Sequence, residues 1–279
     1  KPFIPTSPIM GVSHGSYRFM YLDGRDVFTV MQSKRNTAYT EFGIPSMPEA
    51  DYLRTFIPED ELFPPEPGAS YEFHHAFNAW GGSEPWLCKD ILEYYFGQAE
   101  NLEQLVEQSK WLQREGYKAV FEEARRQKPF CSMAINWCYN EPWKTAANNS
   151  IICYPDIPKS GYFAVANSCR NILASARIPK FLWYSGEHFT MELWMLNDSP
   201  KGYPNFTIRA YIEIAGEDVL ITEWKTGSIA ANQNKKGPDI SYLLPDVNTD
   251  RIVIKLKCLE NDKYSSSYEL KYNLHQAEE

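Results

Sequence analysis

A glutamate at the end of a short strand is the first candidate for chemistry in this sequence. Glu41 stands in the run Thr40-Glu41-Phe42-Gly43, and residues 37–42 have the composition of a strand that the glycine turn ends. In a parallel β/α barrel the carboxyl ends of the strands form the active face, so a carboxylate at this position lies where catalysis occurs. The alternative interpretation is a solvated carboxylate at a strand end.

A second group of candidates follows a long apolar run. Residues 129–137 are almost unbroken apolar sequence of strand length, which predicts a strand buried on both faces of a parallel sheet. At its end stand Trp137, Asn140, Glu141 and Trp143. Two indoles, an amide and a carboxylate suit a sugar ring, whose C–H faces stack on aromatic rings and whose hydroxyls bond polar groups. The alternative is a tryptophan pair that packs the end of a barrel core.

The segment from Glu59 to Gly82 is a third place to look for function. It is rich in Pro, Glu and aromatic residues, which predicts a long, partly irregular excursion of the kind that is usually functional or mobile. Within it, His74 and His75 either edge a pocket or are exposed loop residues, and Trp80 is equally open to both interpretations.

The six cysteines form no C-x-x-C pair and no zinc-spaced cluster, so we expect mostly buried, unbridged thiols and no structural metal.

The elements that must position these residues alternate between strand and helix up to about residue 178. Helical spacing predicts helices over residues 89–96 and 101–127, the second capped by Asn101 and Gln104 and with its charged face in solvent. The same spacing predicts a helix over residues 160–177 that packs on the sheet. Strand, helix, strand, helix is the order of an α/β domain.

Beyond residue 178 the apolar residues alternate with a period of two. The alternating runs begin at Phe189, Phe206, Ile252 and Tyr268, and turn residues separate them. About 100 residues with this pattern predict an immunoglobulin-like β-sandwich. The sequence therefore predicts two domains, an α/β domain over residues 1–178 and an all-β domain over residues 179–279.

Composition excludes several classes of partner. The formal net charge is −8 and no long run of Lys or Arg is present, so we expect neither nucleic acid nor an anionic membrane as a partner. No apolar run reaches the ~20 residues needed to cross a bilayer, and residues 1–5 lack the apolar core of a secretion signal. Aromatic residues make up 15% of the chain, which suits a protein that stacks flat rings on a ligand.

Several of these segments together resemble glycoside hydrolase family 2, most closely its β-mannosidase-like branch. Thr40-Glu41-Phe42-Gly43 with Ser46 and Pro48 is similar to the nucleophile signature of that branch, and Trp137 to Trp143 is similar to its last-strand motif. Pro5-Thr6-Ser7-Pro8 resembles its proline-rich entry to a barrel strand. Residues 98–100 and 123–129 resemble the helix before its last strand. The resemblance covers residues 1–178, and a β-sandwich follows the barrel in the family.

The resemblance implies a partial (β/α)8 TIM barrel followed by an immunoglobulin-like sandwich. It implies a retaining exo-glycosidase that removes terminal β-linked sugars from an oligosaccharide or glycoconjugate, with Glu41 as the nucleophile that forms a glycosyl-enzyme ester. In the family the acid/base glutamate follows an Asn on an earlier strand, and no Asn-Glu precedes Glu41 here. The chain is therefore expected to start inside the barrel and to be inactive alone.

The resemblance also assigns substrate contacts. Trp137 and Trp143 would stack on the sugar, Asn140 would bond a hydroxyl, and Arg18 would replace a histidine contact of the family, with Trp80 as a further contact. No metal or organic cofactor is implied. The alternatives are β-galactosidase or β-glucuronidase specificity and a non-catalytic carbohydrate-binding fragment. Open barrel edges imply self-association, and the resemblance favours a periplasmic or extracellular location.

Overall fold

The chain is a mixed α/β protein with many strands and few helices. The structure, a computed structural model, describes residues 3, 5–9, 11–77 and 86–274. Contacts between Cα atoms divide the chain into two compact units, each built from three segments. Unit 1 comprises residues 1–27, 35–118 and 132–166, and unit 2 comprises residues 28–34, 119–131 and 167–279. The predicted division at residue 178 stays a prediction.

The helices and strands are short in the first half of the chain and longer in the second. The helices are α1 (Val27–Ser33), α2 (Ala50–Leu53), α3 (Ala69–Phe73), α4 (Lys89–Phe96), α5 (Leu102–Arg126) and α6 (Ser160–Ser168). The strands are β1 (Val12–His14), β2 (Ala38–Glu41), β3 (Ile152–Cys153), β4 (Ile157–Pro158), β5 (Ile172–Arg177), β6 (Leu182–Tyr184), β7 (His188–Asn197), β8 (Thr207–Ile214), β9 (Glu217–Lys225), β10 (Lys235–Leu243), β11 (Arg251–Cys258) and β12 (Ser266–Asn273).

Unit 1 contains parallel extended segments that run side by side. β1 pairs with β2 in parallel, with Val12 opposite Ala38. On the other side of β2 runs the extended segment 132–137, joined by bonds such as Ile135 N to Tyr39 O at 2.9 Å and by a parallel bridge between Tyr39 and Ala134. The carboxyl ends of these segments therefore meet at one edge, as the sequence predicts for Glu41 and Trp137.

The predicted burial of the 129–137 run on both faces is wrong, because Cys131 is the one buried residue among them. Met133 is 44% exposed and Ile135 is 50% exposed. These side chains share one face because alternate residues of an extended segment point in opposite directions. Two large apolar side chains of this extended segment are therefore partly exposed to solvent.

The two predicted helices before this segment are present with their predicted ends. α4 ends at Gly97, which has a φ of 74° and is thus suited to stop the helix. α5 has the predicted cap, since Gln104 N donates to Asn101 Oδ1 at 2.9 Å and Gln104 Oε1 accepts from Glu100 N at 2.6 Å.

The predicted solvated face of α5 is present in its first two turns, where Glu103 and Glu107 are exposed, and is wrong for the turns that follow. In unit 1, Glu115 is fully buried and accepts a bond from Lys118 Nζ at 2.6 Å. In unit 2, Glu122 is 2% exposed and accepts bonds from Ser168 Oγ at 3.0 Å and Tyr268 Oη at 2.7 Å. Each of these buried carboxylates accepts a bond from a nearby donor, and a helical periodicity in one sequence does not reveal such donors.

The predicted helix over residues 160–177 is also wrong in its second half. α6 ends at Ser168, and residues 172–177 form β5, which pairs antiparallel with β7, with Ile172 opposite Asn197. All of Ile172, Leu173, Ala174 and Ala176 are buried. A short run that is apolar on both faces fits a helix or a buried strand equally well, and sheet pairing decides between them here.

Unit 2 is built on two sheets with the predicted alternation. One sheet has the order β10-β7-β5 and the other has the order β6-β12-β11-β8-β9; all neighbours are antiparallel except β6 and β12. Every second residue of β8 and β11 is buried. The sheets meet where Ser266 Oγ of β12 donates to Ala174 O of β5 at 2.6 Å. The alternating residues therefore form the core between two sheets.

The six cysteines differ in their exposure to solvent. All six cysteines are free, and Cys131, Cys153 and Cys258 are buried, whereas Cys169 is exposed. Among the described residues, no helix has the length and apolar character to span a membrane.

Candidate active site

Glu41 ends β2, and its carboxylate is held by two side chains that follow or end the neighbouring strand β1. The Tyr17 hydroxyl donates to Glu41 Oε1, and His14 Nε2 lies 3.4 Å from the same oxygen. The backbone is tied to the same segment, because Gly15 N donates to Glu41 O at 2.7 Å. The Glu41 side chain is 27% exposed. The alternative of a freely solvated carboxylate is therefore not what the structure has.

Tyr17 links Glu41 to two tryptophans. Its ring meets Trp137 edge to face at a centroid distance of 5.7 Å and Trp86 at 6.1 Å. Burial, and then the hydrogen bond and the negative charge of Glu41, raise the pKa of the Tyr17 phenol. The hydroxyl therefore keeps its proton across the neutral range and acts as a donor to the carboxylate.

The two oxygens of Glu41 differ in their surroundings. Both side-chain contacts go to Oε1, and within the described part of the chain no hydrogen bond reaches Oε2. An ionised carboxylate with one oxygen anchored and the other open has a lone pair available for attack. The arrangement can therefore serve a nucleophile.

A chain of polar groups continues behind His14. His14 Nδ1 lies 3.3 Å from Ser7 Oγ, and Ser7 Oγ also contacts Thr40 Oγ1. Thr40 Oγ1 donates to Ser13 O at 2.9 Å. Sequence analysis missed Ser7, His14 and Tyr17 as parts of the site. Because parallel neighbours end at one edge of a sheet, polar residues at and after the end of β1 were the signal that could have found the last two.

Trp143 lies in an aromatic cluster with the two predicted loop histidines. Its ring stacks on His74 at 5.5 Å and meets His75 at 5.1 Å and Phe73 at 5.3 Å. His74 Nδ1 is 2.7 Å from Lys144 O. Both histidines are half-buried, so the interpretation as exposed loop residues is wrong. They are packed because Trp143 covers one ring and edges the other.

Three other predicted residues lie in different surroundings. Arg18 forms an ion pair with Asp90 of α4. Asn140 is exposed, and its backbone forms a parallel bridge with Ile152. Trp80 lies outside the described residues.

Glu141 is not a surface carboxylate, which corrects its expected place among the sugar contacts. It is 1% exposed, and its Oε1 accepts from Ser150 Oγ at 2.5 Å and lies 2.9 Å from Lys159 Nζ. Lys159 is 4% exposed and also donates to Asn148 O at 3.1 Å. A buried ion pair between Glu141 and Lys159 therefore holds the segment 137–143 in place.

No metal site accompanies these groups in the part of the chain that the structure describes. Among residues 3, 5–9, 11–77 and 86–274, no three His, Cys, Asp or Glu side chains are grouped so that they could hold an ion.

Gly43 has no room for a side chain beside the candidate nucleophile. A Cβ atom at this position would lie 2.1 Å from Asn149 Nδ2 and 2.7 Å from Asn149 Cβ, and Asn149 is fully buried. We expect Gly43→Ala to lower the free energy of unfolding by about 1–3 kcal/mol, because overpacking forces neighbours to move. Urea unfolding measures the change.

A double-mutant cycle checks the cause of that loss. Asn149→Gly removes the whole side chain that the new methyl would meet, including its Cβ, so the double variant should lose less than the sum of the two single losses. Strictly additive losses would contradict the clash.

Solved structures are similar to this chain in fold. No protein-family model and no curated protein sequence matches the chain. Among solved structures, β-D-mannosidase from Dictyoglomus thermophilum matches with a TM-score of 0.67 and 20% identity, over 93% of this chain and 30% of that chain. The exo-chitosanase of Amycolatopsis orientalis matches with a TM-score of 0.64 and 16% identity, over 94% of this chain and 30% of that chain. A complex of that chitosanase with PNP-β-D-glucosamine matches with a TM-score of 0.67 and 16% identity, over 94% and 30%.

These matches establish the fold. The chain has the fold of a region of both proteins and spans about 30% of their length.

Proposed function

We propose that this chain is the C-terminal part of a retaining exo-glycosidase of glycoside hydrolase family 2, with Glu41 as the nucleophile. The observation that carries the proposal is the state of Glu41: Tyr17 and His14 contact Oε1, and Oε2 has no partner in the described ranges. The motif resemblance at residues 40–48 and 137–143 and the shared fold with a β-mannosidase support it.

The mechanism follows from that geometry. Oε2 of Glu41 attacks the anomeric carbon and forms a glycosyl ester, while the leaving oxygen takes a proton from a second carboxylic acid. Water, deprotonated by that second group, then hydrolyses the ester with overall retention. Tyr17 bonds the carboxylate before attack and as it leaves, which stabilises its ionised form in both steps.

The second carboxyl would come from a part of the barrel that this chain does not include. Retention needs it about 5 Å from Glu41, and the family's Asn-Glu pattern does not precede Glu41 in this sequence. On this proposal residues 1–178 are part of a (β/α)8 barrel and residues 179–279 an immunoglobulin-like sandwich. The chain alone would then be inactive.

Substrate contacts and partners belong to the same proposal. Trp137, whose ring contacts Tyr17, would line the sugar site. The further contacts to the sugar would come from Trp143, Asn140, Arg18 and Trp80. The substrate would be an oligosaccharide or glycoconjugate with a terminal β-linked sugar. The open strand edges of a partial barrel would pair with the rest of the barrel or with a second copy.

The direct test is covalent trapping in the longest natural form of the protein. A 2-deoxy-2-fluoro-β-glycosyl fluoride should add one fluorosugar mass to the peptide that contains Glu41. The 2-fluorine slows both formation and hydrolysis of the ester, because both transition states resemble an oxocarbenium ion, but the fluoride leaving group speeds formation alone, so the ester accumulates. The Glu41→Gln variant should stay unlabelled. Labelling of another carboxylate would contradict the assignment.

A panel of substrates, tested beside the trapping experiment, separates the alternatives. A panel of aryl β-mannoside, β-galactoside, β-glucuronide and β-glucosaminide substrates distinguishes the sugar specificities. The protein is a non-catalytic carbohydrate-binding protein if it binds these sugars, hydrolyses none of them and is not labelled by the fluorosugar.

A further inference from the structure

A cavity beside α4 and the first half of α5 is lined by residues that the proposed sugar site does not use. Its volume is about 320 Å³, and ligand sites in proteins occupy roughly 300–1,000 Å³. Its wall comes from the segment 63–66, from α4 with the link that follows it, and from α5, which at these positions all belong to unit 1. The cavity is therefore large enough for a small ligand.

Part of the wall is apolar. Leu92 of α4 and Leu105 of α5 are 3% and 5% exposed, and Pro65 is also buried. Phe63 is half-buried and adds an aromatic ring. A hydrocarbon body that binds against these side chains is removed from water, which favours its binding.

The wall also contains a buried amide whose oxygen lacks a partner. Gln108 lines the cavity and is 7% exposed, and its Oε1 is buried without a hydrogen-bond partner among the residues that the structure describes. The last torsion of a glutamine side chain is broad, so the amide can turn its oxygen toward the cavity. A donor bound there would supply the hydrogen bond that a buried acceptor normally has.

The charged side chains of the wall are two carboxylates and one ammonium group. Lys89 Nζ lies 3.5 Å from Glu66 Oε1, so these two charges offset each other. Glu93 is exposed at the same cavity and forms no ion pair within the described part of the chain. One negative charge is therefore left for a ligand to meet.

The two helix ends at the cavity favour the same sign of ligand. α4 ends at Gly97, which lines the cavity, and has no basic residue in its last turn to meet the partial negative charge of a helix C-terminus. The start of α5 is met by its own residues, since Asn101 Oδ1 accepts from Gln104 N at 2.9 Å and Glu103 lies in the first turn. A cation therefore suits this cavity better than an anion.

We propose that this cavity binds a primary ammonium group carried on a compact hydrocarbon body. The body packs against Leu92, Leu105 and Phe63, and the ammonium group, which has three protons to donate, bonds Glu93 and Gln108 Oε1. The site does not depend on the proposed function, because it uses neither Glu41 nor any step of glycoside hydrolysis.

The test uses three probes with a similar body, namely cyclohexylmethylammonium, cyclohexylmethanol and cyclohexanecarboxylate. Leucine methyl NMR spectra of the longest natural form of the protein report the wall directly, because Leu92 and Leu105 line it. We expect the amine to shift both signals saturably and to bind at least about threefold more tightly than the alcohol, with the carboxylate weaker still. Leu256, buried in β11, is the internal reference and should not move. Unmoved Leu92 and Leu105 signals, or an alcohol or carboxylate that binds as tightly as the amine, overturn the proposal.

Glu93→Gln tests the charge. It should weaken binding of the amine by about threefold and leave binding of the alcohol unchanged. Glu217→Gln is the matched control, because Glu217 is an exposed residue of β9 in unit 2 and its loss changes the net charge equally. Equal weakening in both variants would mean a general attraction to a negative protein and would overturn the proposal.

Gln108→Leu tests the buried acceptor. Leucine keeps much of the volume and cannot accept, so binding of the amine should weaken by about fivefold. The unfolding midpoint and the unmoved Leu256 signal show whether the variant is folded. An affinity equal to that of the original chain overturns the assignment of Gln108 as a ligand contact.

Discussion

Glu41→Gln, made in the longest natural form of the protein, should lower kcat/KM by at least about ten-thousandfold, because an amide cannot form the glycosyl ester. Glutamine has the shape of glutamate and its amide oxygen can still accept from Tyr17, so the fold around β2 should be unchanged. The measurement is the rate of hydrolysis of the best aryl β-glycoside. Circular dichroism and the unfolding midpoint show whether the variant is folded.

Small anions provide the control for this loss. In Glu41→Ala the space of the carboxylate is open, so formate or azide should restore part of the rate by attacking in place of the missing group. The azide product should have the anomeric configuration opposite to that of the substrate, because a single displacement replaces two. Retention of more than about one tenth of the activity in Glu41→Gln would show that another residue is the nucleophile.

The sequence could identify Glu41 and not the residues that hold it. A carboxylate at the end of a strand, followed by a glycine turn, is visible in one sequence. His14 and Tyr17 become neighbours of Glu41 only because β1 pairs with β2 in parallel, and strand order is a long-range property. Ser7 was named only within a proline-rich run, although it reaches both His14 and Thr40.

Periodicity was a good guide to the sheets of unit 2 and a poor one elsewhere. The alternation in β8 and β11 predicted which side chains are buried, because one face of each strand packs on the core. It failed for residues 172–177, which are buried on both faces. It also failed for Glu122, whose burial depends on donors such as Tyr268 that lie far away in sequence. Single-sequence patterns report a local environment, and these side chains are placed by remote partners.

Removal of the Lys159 ammonium should be the most destabilising single change in unit 1 that this structure suggests. Lys159 and Glu141 are 2% and 0% exposed in their side chains, and their charged atoms are 2.9 Å apart. In Lys159→Met the carboxylate of Glu141 stays buried with Ser150 as its remaining donor, and Asn148 O loses a partner as well. We expect a loss of about 3–5 kcal/mol in the free energy of unfolding, as for other buried pairs broken on one side.

The paired variant decides whether the loss comes from an isolated buried charge. Lys159→Met combined with Glu141→Leu removes both charges and keeps much of the volume, so stability should return to within about 1–2 kcal/mol of the original chain. Asp51→Asn is the surface control, because it weakens the exposed pair between Asp51 and Arg54, and it should leave the urea midpoint unchanged. The proposal that the loss comes from an isolated charge is contradicted if the double variant is as unstable as Lys159→Met alone. The pair would then stabilise the segment 137–143 through its packing and hydrogen bonds, and not through the ionic interaction.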